Sequence, residues 1–477
     1  LSQPEASTRT SKDFLIYFLL ALTVVAALLN VAYLWLQTSN PGETSAPESL
    51  FILHAQNLAE GKPLYTDFRK PPYNLTPYTP VYYGILAGIK IFFSLDVEQL
   101  FTRGRQLMIC FSLILAALIS WHSFRTTASK TISALSALVF LGAYLLWPAA
   151  CTNRADLPAV LFSIVGLLIF MHDDKRGLYL SIPFFVLAFF TKQSFVIGFA
   201  AVFLYLLIDR KFRSAVLFLI LSSLIMIVTW FGLHALTNGM STLNIVGSNI
   251  APMSFFNVRL VAVLALQSAT LAFILSFAGL RDQFWKNLAS IYFLLSLLWA
   301  LFTAAKAGSS SNYFLEPLAA GCLLIPEALR KNLETKARSR ALLATVFAIM
   351  ILPQINFMVH SLKAIHFQYD EKARRFANQA NGLVISDNPR ISLATKHPFF
   401  LEPFPYSYLE KTQAWNPGEL QSLIKQGKIE FFIMTNPFEH PLTWQRLTRI
   451  PSSVLQTASQ EYKLAGRVDG YYVYVHK

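Results

Sequence analysis

From Phe14 to Leu36 the chain carries no charged residue. As a helix, such a run covers the ~30 Å hydrocarbon core of a bilayer, which takes about 20 apolar residues. It exceeds the ~7–15-residue apolar core of a signal peptide, and no small-residue cleavage site is obvious. The run therefore reads as a retained transmembrane helix. Further apolar runs lie near residues 78–95, 105–124, 131–149, 157–171, 176–190, 193–208, 213–236, 257–279, 287–305, 312–329 and 339–359. Those at 157–171 and 176–190 are shorter than a span normally requires. Composition points the same way. Of the 477 residues, 54% are hydrophobic and 14% are charged, against about 25% charged in a soluble domain. A water-soluble globular reading is excluded, because its surface needs charges that this chain lacks.

The charges that remain set the expected topology. Net charge is +14. In a membrane protein an excess of Lys and Arg gathers in cytoplasmic loops, so it does not argue for a nucleic-acid partner. Arg9 and Lys12 before the first run place the N-terminus in the cytoplasm. If 78–95 crossed the membrane, the clusters Asp209 to Arg213 and Arg330 to Arg340 would face outward. If it lies at the outer surface, those clusters face the cytoplasm, with Arg125/Lys130, Lys175/Arg176 and Arg281/Lys286, as the positive-inside rule requires. The segment is also a poor span, since it starts with Pro77, Tyr78 and Pro80 and carries Lys90. The expected fold is an all-α polytopic membrane protein of about eleven transmembrane helices, N-terminus inside and C-terminus outside. Residues 1–360 form the transmembrane domain. Its first outer loop, 37–104, holds juxtamembrane helices.

Residues 361–477 are expected to form a small extracytoplasmic α/β domain. Gly382 to Asp387 and Phe431 to Met434 read as buried strands. Pro417 to Lys428 reads as a short helix with Pro near its first turn. Tyr462 to Val475 holds Asp469-Gly470 between two β-prone runs, a hairpin signal. Cys110, Cys151 and Cys322 are too few and scattered for a disulfide framework. No Cys/His spacing suits a zinc site.

With this topology the helix interiors carry almost no ionisable residues. Arg103, Arg105, Arg154, Asp156, Lys192, Arg259, Lys306 and Glu316 sit at outer ends instead. A charge deep in lipid usually marks an ion or proton path, so its absence counts against a proton- or ion-coupled transporter. A ring of charges at the outer boundary suits chemistry on a molecule whose head group sits there. The first outer loop is rich in Pro and Tyr. Within it, Ser45-Ala46-Pro47-Glu48 looks like a helix start, with Pro near N1 and an acid in the first turn. That helix is expected to run to about Glu60 and to end at Gly61.

These elements carry a resemblance. Glu48 is followed by a helix ending Ala59-Glu60-Gly61-Lys62-Pro63-Leu64-Tyr65-Thr66-Asp67-Phe68, then by Pro77-Tyr78-Thr79-Pro80-Val81-Tyr82-Tyr83. Asn153-Arg154-Ala155-Asp156-Leu157-Pro158-Ala159 follows at the start of a later helix. Thr191-Lys192-Gln193-Ser194 and Lys306 to Glu316 come after it. The order resembles the GT-C superfamily of polyprenyl-phosphate-sugar glycosyltransferases, in its protein mannosyltransferase and lipid A aminoarabinose transferase branch. The resemblance implies an inner-membrane, multi-pass enzyme of bacterial type, with the C-terminal domain outside. It implies Glu48 as the catalytic acidic residue of the first outer loop, where the family often has a pair and this chain has Pro47-Glu48, with Glu48 or Asp156 acting as base. Asp156 matches the second acidic residue, in an Arg-x-Asp setting. Arg154, Lys192 and Lys306 match basic residues that hold the lipid phosphate. Asn312, Tyr313, Glu316, Asp67 and Tyr82 complete the expected substrate contacts.

The chemistry follows from what a sugar on a polyprenyl phosphate needs. A carboxylate must orient or deprotonate the acceptor as general base. Cations must meet the charge on the leaving phosphate. The expectation is one in-line displacement that inverts the anomeric carbon, with a glycan, lipid or protein as acceptor. No cofactor is expected, and the family resemblance leaves a divalent metal open. The alternative from another class is a flippase of lipid-linked glycans or another polytopic transporter. Such proteins often show internal repeats and polar residues at mid-membrane, which this chain does not clearly show.

Overall fold

The computed structural model describes residues 4–43, 48–173, 176–280, 283–333, 337–363, 370–444 and 447–477. Ser45, Ala46 and Pro47 of the expected helix start lie outside these, as do Lys175 and Arg281. Helix α1 (Pro4–Thr38) is followed by α2 (Glu48–Ala59), α3 (Val81–Phe93), α4 (Val97–Thr127) and α5 (Lys130–Gly142). Helix α2 ends where Gly61 takes a φ of +73°, a conformation glycine adopts at little cost. Helix α4 starts at a capping box. Asp96 accepts from the Gln99 backbone while the Gln99 side chain returns to Asp96 N, which satisfies two otherwise unpaired groups.

Each remaining apolar run coincides with a helix or a broken pair. The principal ones are Asp156–His172, Gly177–Thr191, Ile197–Ile208, Phe212–Leu236, Leu288–Ala304 and Ala337–Lys363. Their outward faces are apolar. Phe212–Leu236 exposes Val216, Ile220, Leu224, Val228 and Phe231, each more than half uncovered, a surface that water does not tolerate at this extent. Length qualifies the expected number of spans. By length and composition, three helices among the described residues are long and apolar enough to cross a membrane, at Tyr17–Thr38, Val97–Thr127 and Phe212–Leu236. A fourth counts if Phe255–Ser268 and Thr270–Ala278, bent by 86°, form one span. The two short runs are helices of 17 and 15 residues, and they pack on one another. The chain is a polytopic helical membrane protein; the figure of eleven rests on the alternation of loop charge.

The C-terminal part is built on a four-stranded sheet. Strands β1 (Leu383–Ser386) and β2 (Ile429–Met434) run parallel. A two-stranded ribbon, β3 (Thr443–Trp444) and β4 (Leu447–Thr448), stands apart. Strands β5 (Tyr462–Val468) and β6 (Tyr471–His476) form the expected hairpin, with Asp469 and Gly470 both at positive φ in its turn. The sheet order is β1-β2-β6-β5. The expected short helix is Gly418–Lys425, with Pro417 at its N-cap.

This domain docks on one end of the helix bundle. Arg390 pairs with Glu98, donates to Pro41 O at 3.0 Å and stacks 3.7 Å over Phe101. Arg374 reaches Glu98 at 3.1 Å. Tyr73 and Leu401 form a parallel bridge, and Tyr406 donates to Phe68 O at 2.5 Å.

Candidate active site at the domain-bearing end

Two buried polar clusters and a cavity lie where the C-terminal domain meets the bundle. The first cluster surrounds Glu48, at the start of α2. Its carboxylate accepts from Arg105 Nε and Nη2, both at 2.7 Å. It also accepts from Asn153 N at 2.9 Å and Asn153 Nδ2 at 2.8 Å. Arg105 turns its remaining donors to Asn40 O at 2.5 Å and Gly42 O at 2.9 Å. Glu48 and Arg105 are 0% and 1% exposed. A planar guanidinium and a carboxylate match as a two-pronged pair, which ties α1, α2 and α4 into one body. Tyr82, fully buried, places its hydroxyl 3.5 Å from Asn153 Oδ1.

The second cluster surrounds Asp156, the first residue of its helix. Lys192 Nζ lies 2.6 Å from Oδ1, Asn312 Nδ2 donates to Oδ1 at 2.7 Å, and Arg154 Nε lies 3.3 Å from Oδ2. The ends of three elements deliver these groups. Lys192 follows Gly177–Thr191, and Asn312 and Tyr313 sit on the short turn Ser311–Phe314. Lys192 Nζ also lies 4.7 Å from the Tyr313 ring and 5.4 Å from the Tyr78 ring. Burial disfavours the Lys192 charge, but the Asp156 carboxylate beside it raises its pKa above the usual lysine range.

A cavity of about 680 Å³ opens beside this second cluster. Arg154, Lys192, Lys306, Tyr78 and Tyr313 line it from the bundle, and Glu402, Phe404, Tyr408 and Arg449 from the C-terminal domain. Met253, Trp299 and Phe302 make an apolar flank. Met253 and Phe302 continue onto the exposed apolar surface. Lys306 is held by backbone pairing of Pro252–Ser254 with Ala305–Ala307. Its side chain makes no ion pair among the described residues. Burial, with help from Lys192, lowers its pKa to about 8.

The expected site residues thus divide. Asp156, Arg154, Lys192, Asn312 and Tyr313 come together, and Lys306 shares their cavity. Glu48 and Tyr82 sit behind them in the first cluster. Glu316 lies apart, accepting from Tyr292 OH at 2.8 Å within the bundle. Asp67 is turned to its own loop by Arg69 at 2.8 Å. His54 braces the first loop, with Nε2 3.1 Å from Leu75 O, and burial lowers its pKa to about 4. Among the described residues no three His, Cys, Asp or Glu side chains gather as metal ligands. Glu402 was not foreseen as a site group, and Arg105 and Asn153, though named in the outer ring of charges and in the Asn153 to Ala159 motif, were given no role of their own. For Arg105 the signal was its place at a helix end; for Glu402 it was a lone acid inside Phe399-Phe400-Leu401-Glu402-Pro403-Phe404.

No family model matches the chain, and no curated protein sequence matches it. Solved structures do match in fold. ArnT from Cupriavidus metallidurans superposes with a TM-score of 0.60 at 14% identity, covering 95% of this chain and 97% of that one. The same figures hold for ArnT bound to undecaprenyl phosphate. The archaeal oligosaccharyltransferase AglB from Archaeoglobus fulgidus, in complex with an inhibitory peptide and a dolichol-phosphate, gives a TM-score of 0.51 at 13% identity. That match covers 88% of this chain and 69% of AglB. At such identities the likeness is one of fold: the chain shares with these structures a helical membrane part capped by a small α/β domain.

Proposed function

We propose that the chain is an integral-membrane glycosyltransferase. It moves a sugar from a polyprenyl-phosphate donor to an acceptor on the outer face of a bacterial inner membrane, inverting the anomeric carbon. The observation that carries this reading is the cavity, in which three cations from the bundle stand beside an apolar flank open to the lipid-facing surface. A lipid phosphate suits that combination, with its tail along Met253, Trp299 and Phe302 and its charge at Lys192, Lys306 and Arg154. Fixed cations in a partly dry site stabilise a leaving phosphate more than they would in water. The fold shared with a structure bound to undecaprenyl phosphate supports a lipid phosphate as the group held here.

The outer placement is supported by the distribution of charge. Arg125, Lys130, Arg176, Arg210, Lys211, Arg213, Lys286 and Arg330 lie at helix ends remote from the C-terminal domain. The positive-inside rule then makes that remote end cytoplasmic.

Asp156 and Glu48 remain the carboxylates on which transfer depends. Asp156 holds Lys192 and Arg154 in register for the phosphate, and Glu48 holds Arg105 and Asn153 behind it. As the proton acceptor, either would first have to release a donor that now holds it. Replacing Glu48 by Gln and Asp156 by Asn should each lower sugar transfer in membranes by about 10²-fold or more, the scale of misplaced reacting groups. Full activity in both variants at equal expression would overturn the assignment.

A further inference from the structure

We propose that Glu402, supplied by the C-terminal domain, is the general base that takes the proton from the acceptor nucleophile; this rests on the transferase reading above. Three observations carry it. Among the described residues Glu402 is the only acidic side chain lining the cavity. Glu48 and Asp156 both lie behind the wall, closed off by their donors.

The second observation is how Glu402 is held. Residues 400–402 pair with the first loop: Tyr73 N donates to Phe400 O and Glu402 N to Tyr73 O, both at 2.8 Å. Leu75 N then donates to Glu402 Oε2 at 3.1 Å. That is the only hydrogen bond the carboxylate receives among the described residues, although the residue is 3% exposed. One oxygen is fixed and the other is left to the cavity. The third observation is local strain. Phe399 has a φ of +50° and Phe404 a φ of +78°, sparsely populated positive-φ conformations that cost a bulky residue of order 1–3 kcal/mol each and cluster at functional sites. Gly308, itself at +87°, faces Phe404 across the cavity wall, where an added Cβ would lie 3.0 Å from the ring. The segment is thus clamped on both sides of Glu402.

The step balances as follows. The Glu402 carboxylate takes the proton of an acceptor O–H or N–H. The electron pair left on that atom forms the new bond to the anomeric carbon. The bond from that carbon to the phosphate oxygen breaks, and its electron pair stays on the lipid phosphate. Lys192, Lys306 and Arg154 meet the charge formed there. Glu402 returns its proton to water when the product leaves. Burial raises the Glu402 carboxyl to about 8, with the Leu75 N–H pulling it slightly back. A base is most effective when its pKa lies near the working pH. The ionised, active form grows as pH rises through about 8.

The test uses purified full-length protein in lipid nanodiscs, wild type and Glu402→Gln, with a panel of undecaprenyl-phosphate hexoses and pentoses. Glutamine keeps an oxygen for Leu75 N, so folding is preserved. Undecaprenyl phosphate release is followed with an envelope extract as acceptor, and separately with azide, a nucleophile that needs no base. The proposal expects E402Q to lose about 10²-fold or more of transfer to the extract, to keep azide-driven release at the wild-type rate, and to lose the wild-type rise in rate around pH 8. Wild-type transfer by E402Q, or loss of the azide reaction together with transfer, overturns the base role while leaving the transferase reading intact. Failure of the wild-type protein to release undecaprenyl phosphate from any donor overturns the transferase reading, and the base role with it.

Discussion

Fifty-seven positions separate Glu48 from Arg105, yet each is buried with its charge met by the other. Removing one member of such a pair leaves an uncompensated charge in a dry site, which costs about 3–5 kcal/mol, whereas removing both is often close to neutral. Arg105→Met should therefore destabilise the protein markedly, and Arg105→Met with Glu48→Gln should recover part of the loss. Monodisperse protein remaining after a heat step in detergent measures this. Equal losses in the single and double variants would contradict the pairing. Lys306 behaves differently at the same scale. It is half-buried, unpaired among the described residues and lowered to about 8. Its charge is present below that pH and is lost above it. Affinity for undecaprenyl phosphate should fall as pH rises from 7 to 9, and Lys306→Met should flatten that dependence. A wild-type affinity that does not change with pH would count against Lys306 at the phosphate.

At the scale of elements, close approach explains what composition leaves hidden. Gly104 on α4 faces the Asn153 side chain so tightly that an added Cβ would lie 1.8 Å from Asn153 Oδ1. Gly104→Ala must displace the Asn153 side chain, remove its Nδ2 donor from Glu48 and cost about 1–3 kcal/mol of overpacking. Loss of transfer with partial loss of heat stability is expected; wild-type behaviour in both would contradict the contact. The helix ending at Gly61, the hairpin at Asp469-Gly470 and the strands at 383–386 and 429–434 were legible, because local turn chemistry and apolar runs specify them. The convergence of Asp156, Lys192 and Asn312 was legible only in outline, as three helix ends on one side of a membrane. Glu402 was not legible as a site group. Its meaning depends on the bridge between Tyr73 and Leu401, a pairing across more than 300 positions that no local pattern encodes. The helices at Glu371–Gln379 and Ser452–Glu461 were also missed, since each is short and buries only a narrow stripe.

At the scale of the whole molecule, scarcity of charge is what makes the chain readable. Basic residues gather at the helix ends away from the C-terminal domain, while buried ionised clusters gather at the ends that bear it. The bundle supplies cations and an apolar flank, and the capping domain supplies a carboxylate, so the cavity is complete only when both parts are docked. That arrangement suits group transfer between a lipid-borne donor and an acceptor arriving from the capped side. A transporter would leave the donor bond whole. The most direct measurement is therefore the fate of that bond when purified protein in nanodiscs meets undecaprenyl-phosphate sugars and an envelope acceptor. Acceptor-dependent release of undecaprenyl phosphate is expected, with the sugar appearing on the acceptor; recovery of every donor intact would contradict transfer.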